Sequence, residues 1–266
     1  GRRPAHPGTA VTVLPPGESV PVDFITPRHL AGGGDPAWIT VPLHRACGWR
    51  QESTPLRPRV RLSGPGNTAR LWLDPLPDGP WWTLTHAAGK DRPGWWAGFG
   101  ARTPVELIAA VTDALTDPAP ADDAPSDAYA PLRQAGWTPY GQHGLVSPDE
   151  TVSINSLGPR EEAWGCFVTA ELTCQTVWQA HFSRHTPERL LGAFTAALTD
   201  PDPVARTDDL HSLPHTPGVI TRETTTILAA DVAAALEDRV RSLATRHTPH
   251  PSRPQPQVPL RKRRIR

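Results

Sequence analysis

The sequence predicts an α+β protein built from two tandem copies of one unit, and three observations carry that prediction. Residues 95–120 repeat at 178–203 with fourteen identities in 26 aligned positions, at a constant offset of 83 residues. A period this long marks a duplicated domain and not a solenoid of short repeats. Within each copy, apolar residues at alternate positions are followed at once by apolar residues at helical spacing, the signature of a strand running into a helix. Ahead of each block lie shorter strand signals separated by Gly/Pro/Asn turns of hairpin length.

Taken in order, residues 1–20 read as disordered, and Val22–Ile25 adds an edge strand. The first copy spans 22–120. Its opening helix is capped by Asp35, has Pro36 in its first turn and ends at Cys47-Gly48. Strands follow at Arg59–Ser63, Ala69–Leu73 and Trp81–Thr85. Trp95, Ala97 and Phe99 then face one side of a strand, and Thr103-Pro104 is placed to cap a helix carrying Leu107, Ile108, Val111 and Leu115. The second copy, 126–203, opens with a weaker helix near Ser126–Ala135. It continues with strands at Gly144–Val146, Thr151–Ser156 and Ala163–Leu172. Trp178, Ala180 and Phe182 repeat the strand, and Thr186-Pro187 the cap of a helix carrying Leu190, Leu191, Phe194 and Leu198. The predicted unit is therefore helix, three or four antiparallel strands, helix. Residues 204–221 read as a Pro-rich linker and 224–247 as a C-terminal helix with Leu228, Val232, Leu236, Val240 and Leu243 along one side. Residues 248–266 read as a disordered basic tail.

Composition narrows the function classes. The chain has 266 residues, 33 prolines, ten tryptophans and no formal net charge. The charge is segregated: residues 1–120 carry 12 Lys/Arg against 10 Asp/Glu, 121–220 carry 5 against 13, and 221–266 carry 10 against 4. All basic side chains but Lys90 and Lys262 are arginine, a coding bias that makes arginine abundance weak grounds for phosphate recognition. Cys47, Cys166 and Cys174 form no C-x-x-C pair, as expected of a reduced, cytoplasmic protein. No apolar run reaches the roughly 18 residues of a membrane helix, so no membrane partner is expected.

Ile25-Thr26-Pro27-Arg28-His29-Leu30-Ala31-Gly32-Gly33-Gly34-Asp35 and the repeated W-x-A-x-F-x-x-x-T-P and A-L-T-D-P blocks resemble the actinobacterial DUF317 family. The resemblance covers about residues 22–203. It implies tandem copies of a domain without assigned function, and no catalytic residues to carry over.

Candidate sites are few. Gly32-Gly33-Gly34 leads into a helix, where free backbone amides would hold a phosphate, although no Walker lysine follows and Asp35 sits where the anion would be. Arg57, Arg59 and Arg61 alternate along a strand and would share one face, and Arg261, Lys262, Arg263 and Arg264 form a basic end; both would attract an anionic partner. Trp81/Trp164, Trp95/Trp178 and Trp49/Trp137 are matched between copies and belong in cores. Trp38, Trp72, Trp82 and Trp96 are unmatched and are expected to be partly exposed, available for stacking. The pairs His181/His185 and His211/His215 lack the Glu and the shared helical face of a zinc motif. No nucleophile elbow or Cys-His signature is present, and no cofactor, metal or catalytic residue is assigned. The expected function is a non-catalytic binding or adaptor module for a protein partner. The alternatives are a nucleic-acid-associated role through the arginines, and an enzyme with a site between the repeats.

Overall fold

In the computed structural model, which describes residues 17–53, 59–75, 80–118, 127–156, 165–207, 213 and 216–248, the chain is α+β with all strand pairs antiparallel. In chain order the elements are β1 (Ser19–Thr26), α1 (Ala37–Arg45), β2 (Arg50–Ser53), β3 (Val60–Ser63), β4 (Ala69–Leu73), β5 (Trp82–His86), β6 (Trp95–Phe99) and α2 (Val105–Thr116). They continue with α3 (Ala130–Gln134), β7 (Thr138–Tyr140), β8 (Gly144–Val146), β9 (Val152–Ser156), β10 (Cys166–Leu172), β11 (Gln175–Phe182) and α4 (Glu188–Leu198). The last are β12 (Val204–Arg206), β13 (Thr221–Leu228) and α5 (Ala229–His247).

The two copies do not build separate sheets of three or four strands. Each contributes five strands to one ten-stranded sheet, in the order β2-β3-β4-β5-β6-β11-β10-β9-β8-β7. The join is β6 against β11, with Phe99 opposite Ala180, Gly98 opposite His181 and Ala97 opposite Phe182. Gly98 and His181 are equivalent residues of the duplication, so a pseudo-two-fold axis passes between them. The flanking bonds obey it: Gly100 N–H donates to Gln179 O and Ser183 N–H to the equivalent Trp96 O, both at 2.9 Å.

One core serves both copies. Phe99, Phe182 and Phe194 meet under the join, with ring centroids 5.1–6.2 Å apart. The inward-facing Leu62, Leu71, Leu84, Val168 and Ile154 belong to the same buried cluster as Leu43, Leu107, Ile108, Leu132 and Leu190 of the helices. Thr103 and Thr186 do not cap: α2 and α4 start two residues later, neither has a side-chain cap, and Thr103 is fully buried with Oγ1 unpaired. The Asp35 carboxylate does bond the Ala37 amide at 2.8 Å.

A second sheet, β12-β1-β13, is built from strands that precede α1 or follow α4, so part of the predicted first copy, Val22–Thr26, belongs to it. Three expectations change here. Val22–Ile25 belongs to the central strand and not to an edge, and the stretch 204–221 contains β12. The C-terminal helix starts at Ala229 and not at Thr224, because Thr221–Leu228 pairs with β1 along eight residues. The run Thr224-Thr225-Thr226-Ile227 is β-branched, which suits a pleated surface better than a helix.

The extensions cross over. The segment ahead of α1 is fastened to copy two: His29 O accepts Trp178 Nε1–H at 2.8 Å, His29 Nε2 is 2.7 Å from Thr151 Oγ1, and Arg28 pairs with Asp200 at 2.7 Å. The helix after copy two is fastened to copy one. Arg239 holds Asp113 with two bonds of 2.8 Å and lies over the Trp38 ring at 5.2 Å, while Arg45 pairs with Glu237 at 2.6 Å. Val240 and Leu243 are buried beneath this end of α5.

Candidate functional site: the open face of the joint sheet

Strict alternation leaves the side of the sheet away from the helices half-exposed, as expected of an antiparallel sheet covered on one face. A single cross-strand row takes one residue from each of the ten strands. It runs Glu52, Arg61, Trp72, Thr83, Gly98, then across the join His181, Phe167, Asn155, Gly144 and Tyr140. Arg70 and Trp96, two positions along from Trp72 and Gly98, share the face. Helices α1–α4 pack on the opposite face and α5 packs on α1, so among the described residues no helix covers this one.

The face has two chemically different halves. In copy one Arg61 is exposed, with its guanidinium 5.8 Å from the Trp72 ring centroid, and Arg70 is exposed beside it. In copy two the imidazole of His181 stacks on Phe167 at 4.5 Å, and the neighbouring positions are uncharged Asn155, Thr169 and Gln179. Burial lowers the pKa of His181, so the ring is neutral near neutral pH. At the outer end Tyr140 is 53% exposed.

The predicted site residues separate. Arg61 is on this face, whereas Arg59 is neutralised by Asp74 at 2.9 Å. Arg57, Arg261, Lys262, Arg263 and Arg264 lie outside the described residues, as do Trp164, His211 and His215. Of the unmatched tryptophans, Trp72 and Trp96 are half-buried on the face, and Trp38 lies under Arg239. Trp82 is only 2% exposed, because the β5 register turns residues 82 and 84 inward.

At the Gly32–Gly34 turn a guanidinium is held by carbonyls: Arg206 donates to Ala31 O at 3.2 Å and Gly32 O at 3.0 Å. The same side chain pairs with Glu106 in the first turn of α2 at 2.7 and 2.8 Å. Gly34 has φ +79°, and a Cβ there would stand 2.9 Å from Arg206 Cζ, so a side chain has neither the conformation nor the space.

A cavity of about 1350 Å³ opens between α2, α4, α5 and the small sheet. Alanine is its commonest lining residue, with Ala109, Ala193, Ala197 and Ala233 among them. Its three arginines are each held by a carboxylate, as Arg28–Asp200, Arg206–Glu106 and Arg239–Asp113, while Asp35, Asp202 and Asp231 line it without an ion pair among the described residues. The second pocket, about 300 Å³, includes Cys166, whose thiol is pushed up to about 12 by burial and stays protonated at neutral pH. Among the described residues no group of three or more His, Cys, Asp or Glu is placed to hold a metal ion, and no helix is long and apolar enough to cross a membrane.

The sequence missed one polar cluster. In the turn Ser147-Pro148-Asp149-Glu150, Ser147 Oγ–H donates to Asp149 at 2.5 Å, and Asp149 lies 3.4 Å from His29 Nε2. Burial of Asp149 opposes its ionisation, but the hydrogen bonds from His29 and Ser147 outweigh it and hold the carboxyl well below the usual range. Spacing would not have revealed this cluster, since His29 is more than a hundred residues away.

Together these features define a duplicated α+β protein whose copies share one core and one continuous open sheet face. The chain carries two copies of the DUF317 domain: the model of this domain of unknown function, SPDY, matches residues 64–121 and 132–204. Both matched segments contribute to the ten-stranded sheet, and β1, β13 and α5 lie outside them. No curated protein and no solved structure is matched.

Proposed function

We propose that the chain is a non-catalytic binding module that receives a macromolecular partner on the open face of the joint sheet. The observation that carries this reading is the continuous row from Glu52 to Tyr140, which exists only because the copies join edge to edge. A surface with aromatic rings and guanidiniums beside polar uncharged positions has the composition of an interaction surface. The enzyme alternative draws little support from the large cavity, since each arginine that lines it is already held by a structural carboxylate. The test is affinity capture from the native host with wild-type chain and with a variant carrying Arg61→Ala, Trp72→Ala and Phe167→Ala. A partner held by the wild type and lost by the folded variant is expected; equal recovery would overturn the assignment of the face.

The copy-one half favours a second reading, single-stranded nucleic acid. Arg61 over Trp72, with Arg70 and Trp96 alongside, combines cations with π-faces in the way sequence-tolerant strand binding uses them. Gel-shift titration with single-stranded DNA and RNA across salt distinguishes it. Binding that weakens as salt rises and is lost with Arg61→Ala would support it, and no shift at low salt would dismiss it.

A further inference from the structure

We infer that β13 is a docking edge for a second copy of this chain, two β13 strands pairing antiparallel about a two-fold axis to give one six-stranded sheet. The inference is independent of the open face and rests on comparing the four sheet edges. An edge strand offers unpaired N–H and C=O groups to any other chain, and folded proteins blunt such edges by making them short, charged or proline-bearing. Three edges here are blunted. β2 has four residues, with Arg50 and Glu52 exposed. β7 has three, with Pro139 in the middle. β12 has three, and its Arg206 is drawn inward to Glu106.

β13 differs in length and in lacking proline, and its two charges, Arg222 and Glu223, lie at one end. It is eight residues long, contains no proline or lysine, and ends in the uncharged run Thr224-Thr225-Thr226-Ile227-Leu228. β1 pairs with it along its whole length on one side, from Ser19 opposite Leu228 to Thr26 opposite Thr221. In the order β12-β1-β13 no described strand lies on its other side. Six of its eight residues are exposed, Leu228 by 45%.

Two observations commit the occupant to a second copy. The strand is self-complementary: with Thr225 on the axis, Thr224 faces Thr226, Glu223 faces Ile227 and Arg222 faces Leu228, so no like charges oppose and threonine pairs fill the centre. The fold also already uses this arrangement, since β6 and β11 are equivalent strands joined antiparallel with Gly98 opposite its counterpart His181.

The test is size-exclusion chromatography with light scattering on the full chain, up to about 100 µM because association is set by mass action. A mass of twice 28.9 kDa is expected at the upper end. Thr225→Lys places two ammonium groups at the axis and changes only an exposed side chain; it should give the monomer with an unchanged circular-dichroism spectrum. Thr225→Cys should crosslink to itself with a short bis-maleimide, and Thr138→Cys on β7 should not. A monomeric wild type, or a dimer indifferent to Thr225→Lys and uncrosslinked at Thr225→Cys, would overturn the inference.

Discussion

Two turns occupy the same place in the two copies and do different things. Gly64-Pro65-Gly66-Asn67 and Ser147-Pro148-Asp149-Glu150 stand 83 residues apart and are closed by equivalent bonds. Gly64 N–H donates to Ala69 O and Ser147 N–H to Val152 O, both at 2.9 Å. Asn67 and Glu150 both take a left-handed conformation, at φ 57° and 59°. The side chains then diverge. In copy two Asp149, held by Ser147, reaches His29 and fastens the N-terminal segment; in copy one Gly64 lies against Trp49, and a Cβ would stand 3.2 Å from its ring. Duplication kept the backbone hydrogen bonds that make the turn and released the side chains for separate work.

That contrast can be broken at its shared part first. Phe99→Ala and Phe182→Ala remove equivalent rings from one core, so each should cost about 3–5 kcal/mol. Both should unfold the chain in a single transition in guanidinium, and two transitions would show that the copies fold separately. Next comes the fastening of the extensions. Arg206→Met leaves Glu106, 17% exposed, without its cation, and should cost about 3 kcal/mol in the same denaturation measurement.

The turns themselves give smaller effects. Asp149→Asn weakens the hold on His29 and should cost about 1 kcal/mol, since 38% exposure of the carboxylate screens the interaction. Gly66→Asp, the equivalent position, gains no histidine partner and sits at φ +76°. It should also destabilise, by about 1 kcal/mol, through backbone strain alone, and a stabilised variant would contradict this account. Acid sharpens the same point. The folded pKa of Asp149 is depressed, so its contribution is complete above the unfolded value near 3.9 and is lost as pH falls below it toward the folded pKa. Wild-type thermal stability should therefore fall over that range more steeply than that of Asp149→Asn. Smallest of all, Arg61→Ala and Trp72→Ala on the open face should change stability by about 0.5 kcal/mol or less, while altering partner binding.

Local pattern made much of this legible. Ala69–Leu73, Trp95–Phe99 and Gly144–Val146 are read from alternation and turn chemistry with their bounds intact. The helices of both copies follow from the spacing of Leu107, Ile108, Val111 and their counterparts. Failures came where a distant partner decides. Thr224–Leu228 continues an apolar stripe into α5, yet β1 claims it as a strand. Trp82 looks unmatched by sequence but occupies a core position set by β5 register. The glycine turn has a phosphate-loop appearance until Arg206, more than 170 residues away, fills it.

By itself the sequence determined the duplication, the strand-to-helix order of each copy and the core rings of the repeated block, Trp95, Phe99, Trp178 and Phe182, because these depend on spacings within one element. Only the tertiary structure decided that the copies share a sheet, that their extensions cross over, and that Arg61, Trp72, His181 and Phe167 lie in one row. Those facts depend on register between strands far apart in the chain, and a one-residue slip would turn every such side chain to the other face.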